Sequence, residues 1–332
     1  MTRTELLNAI AARTGDYRAG EIPAPTPQHV DRWVRQFPDA SQEPILEEMS
    51  HILGKAYFAK SDVMSFLTAV ATNTEKLTGA NPSEFWRKAN FLNIQRGGNS
   101  QRRMLSDFSA ILQQQFGFTT DDCGSADGPF FYLDDLIFSG NRVRHDLEPW
   151  ISSDRCPGRC NLHILTIAYH RGGQWFGGQR LAQCMKGAKK QVTITWWRCA
   201  EFEDRRRYTN KSDVLRPISF PSDQFAQQYI QGLTQKGYPP EPRVPQEPPY
   251  ASPFFSSETG RQLMEREMLS AGFRIREQCT MLPEVIRPLG FSGLQTLGFG
   301  AVVLTYRNCP NTCPPAFWAG QPWYPLFPRR TN

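Results

Sequence analysis

A short apolar run that carries two adjacent carboxylates constrains the fold of this chain more than any other segment. The run is FFYLDDLI, residues Phe130–Ile137, and the small residues Ser139 and Gly140 follow it closely. Its length and its aromatic and branched side chains are typical of a buried β-strand. A glycine just after such a strand lets backbone N–H groups approach an anion at the start of the next helix. The segment therefore predicts a strand that brings an acid pair and an anion-binding turn to one place.

Strand-like and helix-like patterns alternate along the middle of the chain. Before the acid pair, Phe91–Gln95 has the composition of a strand, and Gln101–Phe116 has apolar residues on one helical face. After it, a strand, a helix and a strand are predicted at Leu162–Tyr169, Trp175–Lys186 and Gln191–Cys199. This alternation is typical of an α/β fold, in which a mostly parallel sheet is flanked by helices on both faces. In such sheets, ligands bind beyond the carboxyl ends of the strands.

The acid-pair segment resembles the phosphoribosyl-diphosphate (PRPP) binding loop of type I phosphoribosyltransferases. That loop consists of four apolar residues, two acids, two more apolar residues and a turn of the form small-small-Gly-any-small. The resemblance implies that Asp134 and Asp135 are the catalytic acids and hold the ribose 2′ and 3′ hydroxyls. It also implies a group of residues that bind the ribose 5-phosphate: Ser139, Gly140, Asn141 and Arg142.

Three features depart from the family pattern. Phe138 stands where a small residue is usual, and Arg142 replaces the usual final Thr, so that a planar guanidinium would grip the phosphate instead of a hydroxyl. These enzymes usually insert a long hairpin that closes over the site, whereas here only Phe118–Gly128 is available. Either another segment covers the site, or its closure is incomplete. An alternative interpretation is an ordinary buried strand whose acids cap the following helix.

A second glycine-rich turn, RGGNS, follows the strand before the acid pair and precedes a helix. In phosphoribosyltransferases the corresponding loop holds pyrophosphate. By resemblance, the predicted diphosphate-binding residues are Arg96, Gly97, Gly98, Asn99 and Ser100. A pair of glycines lets backbone amides point toward an anion, and an arginine beside them would neutralise it. A turn of this composition also forms without any ligand, which is the alternative interpretation.

Four regions are expected along the chain. Residues 1–88 are predicted to form a small helical N-terminal module, either a small bundle or a winged-helix-like unit. Residues 89–236 are predicted to form a type I phosphoribosyltransferase-like α/β core. A Pro-rich stretch at 237–256 is predicted to be a stiff connector. Residues 257–332 are expected to complete the core with a helix, a strand and an aromatic, Pro-rich arm.

Individual elements are also predicted within these regions. In the N-terminal module, helices are expected after Thr26, Ser41 and Ser61, each followed by apolar residues at helical spacing. In the C-terminal region, a helix is expected to end at Gly272, because glycine is a common helix stop. Leu297–Tyr306 has the composition of a strand.

The chain is basic, and most of its positive charge comes from arginine. It carries 38 Lys and Arg against 32 Asp and Glu, for a net charge of +6 and a pI near 8.9. Arginine favours bidentate contacts with phosphates and carboxylates, which is compatible with nucleotides, nucleic acid or an acidic partner protein. Direct contact with nucleic acid is a further hypothesis that rests on three basic runs: Arg205–Arg207, Lys189–Lys190 and Arg329–Arg330. The alternative interpretation is that these runs are simply solvent-exposed parts of the protein surface.

No apolar run approaches the roughly 18 residues that cross a bilayer, and the start of the chain has no signal-peptide core. A cytoplasmic protein without membrane contact is therefore expected, with its eight cysteines as free thiols. Two pairs of cysteines have the spacing of zinc ligands: Cys156 with Cys160, and Cys309 with Cys313. We favour the interpretation that prolines shape the second of these loops and that His163 is a core histidine, and we do not expect a zinc site.

The end of the chain extends the resemblance. The segments RPLG, GFG, YRNCPNTCPPAFW and PLFPRR follow one another there. Together with the acid-pair loop, they resemble a family of bacterial phosphoribosyltransferase-like proteins of conflict and defence systems (PRTase-CE-like), some of which stand beside retron reverse transcriptases. The resemblance implies an anti-phage role in an operon, with an ATPase or a reverse transcriptase as partner proteins.

The leading hypothesis is a phosphoribosyltransferase-type glycosyltransferase that binds PRPP or a related ribose-phosphate nucleotide with Mg²⁺. Its reaction would be transfer or cleavage at the ribose anomeric carbon. The acids would stabilise positive charge at the ribose, and the arginine-containing loop would stabilise the leaving diphosphate. The alternative is a catalytically inactive subunit that senses a nucleotide or serves as a scaffold in a defence complex. The short lid segment favours the second hypothesis, and the intact acid pair favours the first.

Overall fold

The computed structural model describes residues 1–95, 97, 99–245, 254–279, 281–291 and 296–329, and of residues 76 and 77 the backbone only. The helices are α1 (Arg3–Arg13), α2 (Pro27–Val34), α3 (Asp39–Ala56), α4 (Lys60–Thr72), α5 (Thr74–Thr78), α6 (Pro82–Lys88), α7 (Ser100–Phe116), α8 (Asn141–Ile151), α9 (Arg171–Gly187), α10 (Gln224–Gln235), α11 (Glu258–Gln278) and α12 (Pro315–Trp318). The strands are β1 (Tyr57–Phe58), β2 (Asn90–Phe91), β3 (Phe130–Ile137), β4 (Arg159–His170), β5 (Gln191–Phe202), β6 (Ile286–Arg287), β7 (Gly290–Phe291) and β8 (Leu304–Thr305). None of the described helices is long and apolar enough to cross a membrane.

Two compact units divide the chain. The sheet unit is Ser61–Phe202, and the split unit combines Met1–Lys60 with the described residues from Glu203 onward. The sequence patterns instead place boundaries at 88, 236 and 256. The N-terminal helices and the C-terminal arm are distant in sequence, so no local pattern reports their contact.

Long-range contacts hold the split unit together. The indole N–H of Trp33 in α2 donates to the Ala316 carbonyl at 2.8 Å, and both residues are fully buried. The His29 ring, also in α2, contacts the Leu326 carbonyl at 2.8 Å, and β1 pairs in parallel with β8. The first helices therefore pack against the C-terminal arm and share its core.

The sheet unit contains a four-stranded parallel sheet in the order β2-β3-β4-β5. Neighbouring strands follow one another along the chain, and each connection carries a helix, as parallel pairing requires. In the β3–β4 register, Asp134 lies beside Thr166. The predicted α/β fold with a parallel sheet and flanking helices is thereby confirmed.

Helices cover both faces of this sheet. Phe130 and Phe131 are consecutive in β3, so their side chains point to opposite faces. The Trp150 ring of α8 lies 5.1 Å from the Phe130 ring, and the Trp86 ring of α6 lies 4.8 Å from the Phe131 ring, between centroids. On the Phe130 face, α8 and α9 bury a core that includes Leu147 and Leu181.

The elements predicted around the acid pair are present. The helix at Gln101–Phe116 is α7, which ends at Gly117 in the left-handed conformation, and the later strand, helix and strand are β4, α9 and β5. Helix α2 follows Thr26 as predicted, whereas α3 and α4 begin at Asp39 and Lys60, slightly before the predicted starts at Ser41 and Ser61. The strand at Phe91–Gln95 is shorter than predicted, because only its first residue lies in β2.

Two predictions for the C-terminal region are wrong. Helix α11 continues through Gly272 to Gln278, because at this position glycine serves packing: a Cβ at 272 would stand 2.0 Å from the Pro288 carbonyl oxygen. The strand predicted at Leu297–Tyr306 is mostly irregular, and only β8 pairs within it. Gly298 and Gly300 interrupt it with φ of 139° and 72°.

The predicted connector is partly anchored in the split unit. Arg243 is buried, and its guanidinium donates to Glu265 at 2.9 Å and to Glu258 at 2.7 Å. Arg261 also donates to Glu265 at 2.9 Å. The stretch before residue 246 is therefore tied to α11 by buried ion pairs, while residues 246–253 lie outside the described part of the chain.

Candidate functional site

Two contacts join the three segments that the sequence singled out. The Ser100 hydroxyl, at the start of α7, donates to Asp134 Oδ1 at 2.6 Å. The Arg142 guanidinium, in the first turn of α8, donates to the Gly97 carbonyl at 2.9 Å. The glycine-rich turn after β2, the acid pair of β3 and the turn after β3 therefore meet at the carboxyl edge of the sheet, where α/β folds bind ligands.

Side-chain amides shape the turn after β2. Gln101 is fully buried, and its side-chain oxygen accepts the backbone N–H groups of Ile94 and Gln95 at 2.8 Å each. The Gln95 amide in turn donates to Ser100 Oγ at 3.1 Å. These bonds hold the turn and present the Ser100 hydroxyl to the acid pair.

The predicted diphosphate-binding residues are only partly described. Gly97 and Ser100 take part in the contacts above, and Asn99 is exposed at the N-cap position of α7. Arg96 and Gly98 lie outside the described residues. Diphosphate binding at this turn stays a prediction.

The two acids lie in different environments. Asp134 is only 4% exposed, and its Oδ1 also accepts the Asp135 backbone N–H at 2.9 Å. Asp135 is half-buried. Because consecutive side chains of a strand alternate, the two carboxylates leave β3 on opposite faces of the sheet. That both contact one ribose stays a prediction, and Asp135 is the more accessible acid.

Burial makes the charge of Asp134 costly. Desolvation and the nearby charge of Asp135 raise the pKa of Asp134 from 3.8 to about 6, against the opposing hydrogen bond from Ser100. Raised acid pKa values of this kind are common at functional sites.

A buried tyrosine and a third carboxylate stand behind Asp134. The Tyr132 hydroxyl lies 2.8 Å from Asp146 Oδ2 and 3.3 Å from Asp134 Oδ2. Tyr132 is fully buried, and Asp146, in α8, is 6% exposed. Reasoning from the sequence missed both residues. The signal for Tyr132 was its position two residues before Asp134, which places it on the same face of the strand.

The predicted phosphate turn forms the start of α8. Gly140 is the N-cap residue with a φ of 76°, in the region that favours glycine. The Ser139 hydroxyl oxygen accepts from the Asn141 side-chain amide at 3.2 Å, and the Arg142 side chain is exposed. The first N–H groups of a helix have no partner within it, so this turn offers donors to an anion.

Helix α9 packs directly against this turn through glycines. A Cβ on Gly173 would stand 1.7 Å from the Phe138 carbonyl oxygen, and a Cβ on Gly140 would stand 2.1 Å from the Gly173 carbonyl oxygen. Gly177 lies one turn further along the same helix face, also in contact with Gly140. The spacing of Gly173 and Gly177 is the sequence signal for this close helix packing.

Comparison with known families decides where this chain belongs. Residues 30–329 match the model of the family described as PRTase-CE. The chain belongs to the PRTase-CE family. The match covers both units, and it confirms the resemblance drawn from the acid-pair loop and the C-terminal segments. No curated protein and no solved structure matches this PRTase-CE chain significantly.

The short segment that replaces a lid in this PRTase-CE chain is fixed at the other edge of the sheet. Gly124 N–H donates to the Arg87 carbonyl at 2.8 Å, and the Asn90 side chain donates to the Ser125 carbonyl at 2.9 Å. Asn90 begins β2, so these bonds hold the segment at the amino ends of the strands. It does not cover the acid pair.

An open groove of about 820 Å³ lies beside this segment, between α7 and the edge strand β2. Its described lining includes Leu92, Leu105, Phe130 and Trp150. None of the described residues among the predicted site residues lines it. The acid pair and the described residues of its two turns are therefore not part of the groove.

Among the described residues, no group of three or more His, Cys, Asp or Glu side chains is placed to hold a metal ion. All eight cysteines are free thiols, and the two cysteine pairs with zinc-like spacing lie in different units. His163 stacks on Phe131 with centroids 4.6 Å apart and accepts from the Trp197 indole at 2.9 Å. Burial lowers its pKa to about 4, as expected for a core histidine.

Several residues of the basic runs are engaged inside the protein. Arg205 donates to Glu203 at 2.6 Å, and Arg206 donates to Glu241 at 3.1 Å. Lys190 donates to backbone carbonyl oxygens after α8. Arg330 lies outside the described residues. Contact with nucleic acid stays a prediction.

Proposed function

We propose that this phosphoribosyltransferase-like protein binds PRPP, or a related ribose-phosphate nucleotide, with Mg²⁺ at the turns that follow β2 and β3. The observation that carries the proposal is the pair of contacts Ser100–Asp134 and Arg142–Gly97, which brings both turns to the acid pair. The membership in the PRTase-CE family supports the ribose-phosphate chemistry.

The residues present have the charges that such a ligand needs. Asp135 is the more accessible acid and would accept from ribose hydroxyls, whereas Asp134 is held by the Ser100 hydroxyl of the turn after β2. Arg142 is exposed and bridges the two turns. Its remaining N–H groups would donate to phosphate oxygens of a ligand bound at either turn. Negative charge at the ribose and positive charge at the phosphates would stabilise a reaction in which a bond to the anomeric carbon breaks.

Mg²⁺ fits this site as a companion of the ligand. It is commonly bound through one or two carboxylates together with substrate phosphates and water. The accessible Asp135 offers one such carboxylate, and the described residues form no complete metal site of their own. Bound in this way, Mg²⁺ would supply positive charge that neutralises the diphosphate.

We further propose that the protein acts in the cytoplasm as a component of an anti-phage defence system, in some operons beside a retron reverse transcriptase. The C-terminal segments that resemble phosphoribosyltransferase-like proteins of conflict systems support this role. An ATPase or a reverse transcriptase is the partner that the resemblance implies. Such a partner would cover the acid pair, which the described segment Phe118–Gly128 leaves open.

A second candidate function is ligand sensing without turnover. The position of the short segment Phe118–Gly128 at the amino edge of the sheet favours it, because nothing in that segment excludes water from the acid pair. In that case the protein would bind the ribose-phosphate ligand and pass the signal to a partner.

Calorimetric titration with PRPP and Mg²⁺ tests the proposal, with Asp135→Asn and Arg142→Gln as the site variants. Each removes a charge-assisted contact of about 1.5–3 kcal/mol, so the affinity should fall at least about tenfold. Asp154→Asn is the matched control, because Asp154 is an exposed acid outside the two turns.

The outcomes separate the candidates. Loss of affinity in both site variants but not in the control supports the site. Binding that is equal in all four proteins, or absent from the folded wild type, refutes it. Incubation of the wild type with PRPP and a panel of bases and nucleotides then distinguishes the candidates. Transfer gives pyrophosphate and a phosphoribosylated acceptor, cleavage by water gives pyrophosphate and ribose 5-phosphate, and sensing leaves PRPP intact.

A further inference from the structure

One edge of the parallel sheet is long and, at its start, uncharged. Strand β5 is the last strand of the sheet and has 12 residues, and no described residue outside β4 forms a backbone hydrogen bond with residues 192–201. Its first part, Gln191–Trp197, contains no charged residue, no proline and no glycine. Proteins usually protect an exposed edge by charge, proline or short length, because its outward N–H and C=O groups pair readily with another strand. The opposite edge strand, β2, is short, with 2 residues, whereas β5 has none of these features over its first part.

Side chains on both faces of this edge reach the surface. Thr193 and Thr195 are exposed on the face that they share with Trp197. On the other face, Ile194 and Trp196 are only partly buried against the core under α8 and α9. Threonine, isoleucine and tryptophan are all residue types that are enriched in strands. The segment therefore suits a further strand beside it.

The core under α9 also ends at this edge with apolar surface left in water. In α9, Arg180 and Gln183 line a pocket with α8, so Met185, on the other side of the helix, faces the open edge. Met185 is partly buried at the margin of this core, as Ile194 and Trp196 are. A strand and a helix added at this edge would remove the apolar surface from water, which is the main favourable contribution to association.

We propose that two copies of this chain pair their β5 strands in antiparallel orientation about a twofold axis, so that the two sheets join into one. An axis perpendicular to the sheet sets one residue of β5 opposite its own copy and keeps the faces of both strands aligned. The carboxyl edges of the two sheets then lie at opposite ends of the joined sheet. The inference does not depend on the proposed ligand, since no residue of the acid pair or its two turns takes part in the pairing.

The side chains favour a register in which Thr195 lies opposite Thr195 of the second copy. Ile194 then lies opposite Trp196 of the second copy. Likewise, Thr193 lies opposite Trp197. Pairs of threonines, and pairs of an aromatic with a β-branched residue, are favourable across antiparallel strands. This register therefore matches the edge to itself over the uncharged segment.

The charges that flank the uncharged segment select the same register. Centring the pair one residue earlier would set Arg198 opposite Lys190, and like charges directly opposite are destabilising. In the register centred on Thr195, Arg198 meets a neutral residue instead. The exposed Lys189 also approaches the exposed Glu201 of the second copy, once at each end of the paired segment. The edge is therefore complementary in charge to a second copy of itself.

The edge is large enough for a stable dimer. Its 12 residues, at about 3.3 Å each, make β5 about 40 Å long. A sheet layer and a helix layer, each about 10 Å thick, make the edge about 20 Å deep. The resulting area, about 800 Å² per copy, is the area that each partner buries in a stable interface of standard size.

Analytical ultracentrifugation of the full chain over a range of concentrations tests the proposal. We expect the wild type to sediment as a dimer at micromolar concentrations. Thr195→Lys and Thr195→Glu each set two like charges opposite one another at the axis, so each should raise the dissociation constant at least about tenfold. An equimolar mixture of the two variants should restore the dimer, because lysine then lies opposite glutamate. Thr72→Lys is the matched control, since Thr72 is an exposed threonine at the end of α4.

An engineered cysteine reports the register directly. In the register centred on Thr195, Gln191 lies opposite Cys199, which is an exposed free thiol. Hydrogen peroxide should therefore oxidise the thiols of Gln191→Cys and Cys199 of the second copy to an intermolecular disulfide, and itself be reduced to water. Thr193→Cys is displaced by two residues and should cross-link far less. A non-reducing gel measures the cross-linked dimer.

Each outcome decides the inference. A dimer that both charged variants weaken and that their mixture restores supports it. A wild type that is monomeric at every concentration overturns it, even where another protein binds this edge. A dimer that neither charged variant weakens, or that the mixture does not restore, also overturns it, because the interface then lies elsewhere or in another register. Circular dichroism shows whether the charged variants fold; if they do not, cross-linking of Gln191→Cys supports the inference and its absence overturns it.

Discussion

Replacing Asp134 by Asn should stabilise the ligand-free protein at neutral pH and not at acidic pH. Burial and the nearby Asp135 raise the pKa of Asp134 from 3.8 to about 6. Since each pKa unit corresponds to about 1.4 kcal/mol, ionising Asp134 costs the folded state about 3 kcal/mol. The carboxylate is almost fully buried, so solvent screening reduces this value little.

The sign of this pH dependence follows from proton linkage. The folded protein binds the Asp134 proton more tightly than the unfolded chain does, so the unfolding free energy of the wild type falls as the pH rises from about 4 to about 6. Asn has no proton to lose. It keeps an oxygen for Ser100 and the Asp135 N–H, and its amide can donate to Tyr132. The unfolding free energy of the variant should therefore exceed that of the wild type by about 3 kcal/mol above pH 6 and by little below pH 4.

Urea denaturation at a series of pH values from 4 to 8 measures this difference. Burial also raises the pKa of Asp213 to about 6, but Asp213 is present in both proteins, so its effect cancels in the comparison. Asp154→Asn, an exposed replacement, controls for the loss of one negative charge. A difference between wild type and Asp134→Asn that stays constant from pH 4 to pH 8 would refute the argument from burial.

Three further variants test two glycine packing contacts and one buried cluster of ion pairs. Gly173→Ala places a Cβ 1.7 Å from a carbonyl oxygen of the turn after β3, so we expect a loss of about 1–3 kcal/mol in urea denaturation, whereas Gly178→Ala, with open space in the same helix, should gain up to about 1 kcal/mol. Gly272→Ala should destabilise in the same way through a clash at 2.0 Å, and Gly232→Ala in α10 should not. Glu265→Ala leaves two buried arginines without their shared acid and should cost about 3–5 kcal/mol, seen as a lower midpoint of thermal unfolding. Equal stability of Gly173→Ala and Gly178→Ala, or of Gly272→Ala and Gly232→Ala, would contradict the packing argument. An unchanged unfolding midpoint in Glu265→Ala would contradict the argument from its buried ion pairs.

Sequence patterns were sufficient to predict the sheet and the neighbourhood of its turns. Parallel strands deliver the segments that follow them to one edge, so alternation alone predicts that the turn at Gly97 approaches the turn at Arg142. The apolar run of β3 also fixes the acids at its carboxyl half. These predictions depend on local periodicity, which a single sequence reports well.

The residues that the sequence did not reveal depend on contacts between distant elements. Asp146 reaches Tyr132 only because α8 folds back over β3, and nothing in the helical pattern marks one acid in α8 as buried. Gly272 has the composition of a helix stop, yet a neighbouring carbonyl makes glycine necessary within the helix. The pairing of Trp33 with Ala316 joins the two ends of the chain, which no local pattern encodes.

The cost of the Asp134 charge is itself an argument for a ligand at this site. Its hydrogen bonds with Ser100, the Asp135 N–H and Tyr132 would be made equally well by Asn, so folding alone gives no physical reason for a carboxylate there. A ligand that brings Mg²⁺ or hydroxyl donors supplies the missing positive charge and favours the ionised form. If Asp134→Asn proves more stable and binds PRPP less tightly, the same carboxylate has opposite effects on stability and binding, as expected of a functional residue.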